Sequence, residues 1–165
     1  LEVIHIGEGK DFRQSIIGKG IERISIHTED NIQRLAIYLE CFNDDSEKCK
    51  STIVIRKREI ECIARTNEFA WFKFDSICGD KRSVKDYIDI ADQFKMVVIT
   101  EVPEFDQELE NEARRFIAFI DELYDRDIDL FMTTFGDHKN LYNGIKLKDE
   151  FTRTTSRLVE MNKKD

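Results

Sequence analysis

Two apolar runs on either side of one long amphipathic stretch constrain this chain more than any other feature. The first is KMVVITEV, residues 95–102, and the second is IDLFMTT, residues 128–134. Both are rich in β-favouring residues, and the first carries no polar alternation, which predicts strands buried on both faces. Between them, NEARRFIAFIDELYDR places Ala113, Phe116, Ile117, Ile120 and Tyr124 at helical spacing, in a helix starting near Asp106 after Pro103. Strand, helix and strand with short joints form a right-handed crossover, so the two strands are expected to be parallel.

The rest of the chain reads as α/β. LEVIHI is a β-type run, followed by a loop, GEGKDFRQ. IERISIHT alternates and ends at Thr28, which can cap a helix through EDNIQRLAIYLECF, with Ile32, Leu35, Ala36, Leu39 and Phe42 on one face. NDDSEKCK is a polar turn. STIVIR, REIECIA and EFAWFKF are three β-rich runs expected to form an antiparallel hairpin or meander. SVKDYIDIADQF is a short helix with Ser83 as its cap, and DHKNLYNG is a turn of helix ended by Gly144. The last helix holds FTRTTSRLVEM, with Phe151, Thr155 and Leu158 expected inward. The expectation is one α/β domain over residues 1–165. A mixed β/α part, 1–75, precedes a β-α-β parallel unit with a C-terminal helix, 76–165.

Charge narrows the function classes. The net charge is −8 and the pI is about 5.0, which excludes a nucleic-acid coat. The acidity is local: residues 101–135 hold eleven acids against three arginines, whereas from Gly136 onward bases slightly outnumber acids. Cys41, Cys49, Cys62 and Cys78 have no metal-knuckle spacing and read as reduced thiols. His5, His27 and His138 form no zinc or triad motif. GEGK fails as a phosphate loop, because Asp11 stands where the metal-binding hydroxyl belongs. No apolar run is long enough to span a membrane.

The remaining candidates are an acid and two pairs of arginines. Glu101 ends a buried strand, where α/β sheets place functional acids, and the following helix and Thr-Thr strand echo the second half of a P-loop ATPase core. Strand–helix–strand is also common scaffolding. Arg114 and Arg115 lie early in the acidic helix. Arg115 can pair with Glu112 and Arg126 with Glu122, and Arg114 is expected nearer the core edge. In the last helix Arg153, Arg157 and Glu160 share a face. Arg157 and Glu160 can pair with each other, or the two arginines can offer planar forks to a phosphate. Composition does not choose between these.

Several motifs carry a family resemblance. They are Phe72, Phe74 and Cys78; Asp86 and Tyr87; Val102 and Pro103; Glu112 to Ile117 with Ile120, Asp121, Leu123 and Tyr124; and Phe151, Arg153, Ser156 to Leu158, Glu160 and Met161. In this pattern the chain resembles the C-terminal part of the ZapE/Afg-type P-loop ATPases. VIHIGEGKDFR resembles the stretch after that family's ATPase core, with Phe12 in place of tyrosine. The resemblance implies ATP and Mg²⁺ in the full-length protein, with Walker A, Walker B and sensor 1 upstream, so neither is expected on this part alone. It also implies an upstream ATPase core as partner, a division-ring protein as target, a homo-oligomer, no nucleic acid and at most peripheral membrane association. The implied location is the bacterial cytoplasm, at the division site. Arg153 and Arg157 become candidates for a nucleotide-sensing role. Arg114, Arg115 and Glu101 are secondary candidates. The alternative is a non-catalytic interaction module that docks a partner through the acidic helix, Asp106 to Arg126.

Overall fold

The computed structural model describes residues 21–39 and 52–164. The expected strand at 1–6, the GEGK turn, the helix end with Phe42 and the polar turn at 43–50 lie outside them, as do His5, Cys41 and Cys49. The elements in order are β1 (Ile24–Ile26), α1 (Glu29–Leu39), β2 (Thr52–Ile55), β3 (Arg58–Glu61), β4 (Ala64–Arg65), β5 (Phe69–Lys73), α2 (Phe74–Cys78) and α3 (Val84–Gln93). They continue with β6 (Met96–Val102), α4 (Glu110–Asp125), β7 (Asp129–Thr134) and α5 (Lys148–Asn162). Short 3₁₀ turns at Gln107–Leu109 and His138–Asn140 precede α4 and α5.

One sheet organises the molecule, in the order β1-β7-β6-β5-β4. β1, β7, β6 and β5 are mutually parallel, and β4 is antiparallel to β5. The expected parallel pair β6–β7 is therefore the centre of a larger parallel set, drawn from both parts of the chain. The three β-rich runs do not form one meander. β2 and β3 pair as a separate hairpin, and REIECIA divides between β3 and β4.

Alternation along the strands sorts the core into two layers. Trp71, Val98 and Phe131 meet Ile32, Leu35 and Ala36 of α1 on one face. Phe72, Val97, Ile99, Leu130 and Met132 meet the helices α3, α4 and α5 on the other. Buried side chains on both faces explain why β5, β6 and β7 are almost continuously apolar. Trp71 donates its indole N–H to Thr100 Oγ1 at 3.1 Å, satisfying two buried polar groups.

The helix signals act locally. Thr28 Oγ1 accepts the Asn31 N–H at 3.1 Å and caps α1. Ser83 and Asp86 form a capping box at α3. In α5 the inward residues are Phe151, Thr154, Leu158 and Met161, so Thr154 takes the place expected of Thr155. The helix packs against both the sheet and α4, which rotates the buried arc toward α4. Phe151 packs against Phe105, Phe116 and Tyr142, with ring centroids 5.2–6.0 Å apart.

Candidate functional site

The last two motifs, Glu112 to Tyr124 and Phe151 to Met161, meet at the seam between α4 and α5. The helices run in the same direction, since Glu110 bonds Tyr142 just before α5 and Tyr124 bonds Glu160 near its end. Asp121 faces this seam and receives both C-terminal arginines. Arg157 forms an ion pair with it, and Arg153 Nη2 lies 3.8 Å from its other oxygen. The Arg157 guanidinium also stacks over the Tyr124 ring, 4.8 Å from its centroid. Tyr124 in turn donates its hydroxyl to Glu160 at 2.8 Å. Arg157 and Glu160, which sequence spacing could pair, are thus committed to different partners.

The two arginines differ in freedom. Arg157 is 22% exposed and held on two sides, whereas Arg153 is 57% exposed with one long contact. Arg153 therefore keeps donors available to an incoming anion, and Arg157 is fixed in place. Ser156 is exposed beside them. Arg114 has i+7 spacing to Asp121 on α4 and is exposed, so it is not at the core edge as expected.

Arg115 holds that inner position on the opposite flank of α4. It donates to Cys78 O at 2.8 Å and Gly79 O at 2.9 Å, and pairs with Glu112 at 3.2 Å. It therefore satisfies the terminal carbonyls of α2. Tyr87 donates its hydroxyl to Ile77 O at 2.9 Å in the same helix, and burial pushes the neighbouring Cys78 thiol up to about 12. The Cys78, Tyr87 and Arg115 motifs are thus one scaffold joint. Spacing alone could not reveal it, because the contacts join residues far apart in the chain.

Glu101 lies apart from the arginines, at the carboxyl edge of the sheet. It has φ +63° at an irregularity in β6, an uncommon conformation for a residue with a side chain. Its amide donates to Thr133 Oγ1 at 3.3 Å, and that hydroxyl also bonds His27 Nδ1 at 2.9 Å. Lys73, at the end of β5, is 3.8 Å from the Glu101 carboxylate. The carboxyl ends of four parallel strands thus bring together His27, Lys73, Glu101 and Thr133. His27 was not singled out by sequence because it matched no motif.

The joint between β1 and α1 at this edge does not fit a nucleoside triphosphate. Only His27 and Thr28 separate β1 from α1, leaving no loop to cradle phosphates. Glu29 and Asp30 fill the first turn of α1 and would repel an anion. Among the described residues no group of three or more His, Cys, Asp or Glu side chains is placed to hold a metal ion. No helix among them is long and apolar enough to cross a membrane.

The AFG1-like ATPase family model matches residues 1–165. Cell division protein ZapE of Escherichia coli K12 is 31% identical over 165 residues, covering 99% of this chain and 44% of ZapE. Lactation elevated protein 1 homolog B of Danio rerio is 23% identical over 166 residues, covering 99% of this chain and 33% of that protein. The chain spans less than half the length of these relatives. No solved structure matches it. With its whole length matched by the family model, the chain belongs to the AFG1-like ATPase family.

Proposed function

We propose that this chain is the nucleotide-responsive C-terminal part of an ATPase whose phosphate site is formed elsewhere. ATP and Mg²⁺ bind the upstream core, and the α4–α5 seam couples hydrolysis to remodelling of a partner protein. The observation that carries this reading is the asymmetry of the arginine pair. Arg157 is immobilised by Asp121 and Tyr124, and Arg153 beside it keeps an exposed fork. An exposed guanidinium on such a fixed support can reach a phosphate bound elsewhere and stabilise charge that develops on a transferring phosphoryl group. The E. coli relative is named a cell division protein, so the proposed setting is bacterial cell division in the cytoplasm, with a division-ring protein as target.

The test uses the full-length protein. Arg153→Ala is expected to lower ATP turnover by about tenfold or more, with the unfolding midpoint unchanged. Arg157→Ala is expected to lower both turnover and stability, since it leaves Asp121 with one distant partner. Full turnover in Arg153→Ala removes the sensing role. A second reading, docking of a partner on the acidic helix, draws on the exposed Glu104, Asp106 and Glu108 before α4. It predicts a salt-sensitive partner complex that is indifferent to nucleotide.

A further inference from the structure

Leaving α4, the chain turns back toward β7 through a left-handed residue, Asp127, with φ 57°. The Ile128 amide donates to Leu123 O at 2.9 Å, and the Asp127 amide to Tyr124 O at 3.2 Å. Together these bonds form a Schellman stop, which folds an apolar residue beyond the turn against the last turn of the helix. Here that pair is Ile128 and Leu123. Met161, in the last turn of α5, comes to the same place. The two helix ends do not close on each other, and a cavity of about 310 Å³ remains between them. Leu123, Ile128 and Met161 are buried and form its apolar floor, while Tyr124, Asp127, Glu160 and Lys164 complete the lining.

The charges of this lining are unequally satisfied. Lys164 forms an ion pair with Asp127, and its Nζ lies 4.0 Å from Asp129. Its charge is therefore already neutralised. Glu160 is exposed and accepts the neutral Tyr124 hydroxyl through Oε2. Among the described residues no cation pairs with it. Arg157, one turn before, is turned to Asp121, and Lys164, one turn after, to Asp127. The cavity thus combines an apolar floor with one carboxylate that lacks a counter-ion. That combination repels anions and selects a cation with an apolar body. A volume near the lower end of ligand sites limits that body to about one ring.

We propose that this cavity binds a small organic amine, with its ammonium on Glu160 and its apolar body on Leu123, Ile128 and Met161. The assignment holds whether or not Arg153 senses a nucleotide.

The test titrates the full-length protein with phenethylamine by calorimetry at neutral pH, with phenethyl alcohol as the uncharged analogue of similar shape. The parent protein is expected to bind the amine with a Kd of about 1 mM or tighter, and the alcohol about threefold or more weakly. Glu160→Gln keeps an acceptor for the Tyr124 hydroxyl and should bring the two affinities together. Lys164→Gln leaves Asp127 without its partner, so the amine should bind about twofold or more tightly. Equal affinity for amine and alcohol in the parent overturns the proposal, and so does an amine preference that survives in Glu160→Gln. Absence of amine binding in the parent does the same. Unchanged or weaker amine binding in Lys164→Gln removes charge as the selecting force and overturns it as well.

Discussion

Replacing Arg58 by alanine gives a demanding test of how the hairpin is held. Asp86 is fully buried, and both its oxygens accept from Arg58 Nη2 at 2.8 Å. Its other donors are the Ser83 amide at 2.9 Å and the more distant Ser83 hydroxyl at 3.4 Å. Arg58→Ala therefore leaves a carboxylate out of water with only the capping-box donors. Hydrogen bonds to a charged group contribute about 1.5–3 kcal/mol each. The two bonds to Arg58 share one nitrogen, and that side chain is 47% exposed. Discounting for this screening, the loss is about 2–3 kcal/mol. Asp86→Ala should cost about as much, since it removes the cap as well as the pair. The double variant should cost little more than either single one, because once one partner is gone the second substitution has no pair left to break. Urea unfolding followed by circular dichroism measures all three, with the m-value checking that each variant unfolds in one step. Additive losses, or a loss under about 0.5 kcal/mol in Arg58→Ala, would show that the buried pair does not anchor the hairpin.

Three further outcomes are expected. Phe151→Ala, which empties the centre of the Phe105–Phe116–Tyr142 cluster, should cost about 3–5 kcal/mol in the same assay. Glu101→Gly should stabilise the chain by about 1 kcal/mol, because glycine adopts the left-handed backbone without strain; a loss instead would mean that the side chain's contacts outweigh that strain. Burial lowers the pKa of His138 from its usual 6.5, against the opposing pull of Asp137. The unfolded chain then takes up the proton first, so stability should fall as pH drops below about 6.5, and His138→Gln should flatten that part of the pH profile.

What sequence could reveal depended on how far apart the interacting residues lie. The Ser83 cap of α3 and the parallel β6-α4-β7 unit are specified by neighbours, and both stand as expected. The β3–β4 break was hidden because Ile60, Cys62 and Ala64 all point inward across it. The alternation continues while the chain changes sheets. EFAWFKF did carry a warning, since four consecutive buried residues suit a central strand better than a half-exposed meander. At the candidate site, the residue types were legible and their partners were not. Nothing local distinguishes Arg114 from Arg115, and only the packing of α2 against α4 gives the inner position to Arg115. Asp121 was visible as part of a motif, but its hold on Arg153 and Arg157 depends on parallel packing of α4 and α5.

The attachment of α5 to β1, the first strand among the described residues, bears on how the molecule folds. Ile24 donates its amide to Asn162 Oδ1 at 3.0 Å, and Arg23 Nε donates to Lys164 O at 2.9 Å. β1 also lies in register against β7, with Ile24 opposite Met132. During synthesis β1 emerges long before either partner exists, so its pairing must await nearly the whole described chain. Such long-range closure raises contact order and slows folding. The βαβ unit of β6, α4 and β7 can assemble first, from neighbouring segments. Refolding should then show β1 protected from hydrogen exchange only in the final phase, together with the end of α5.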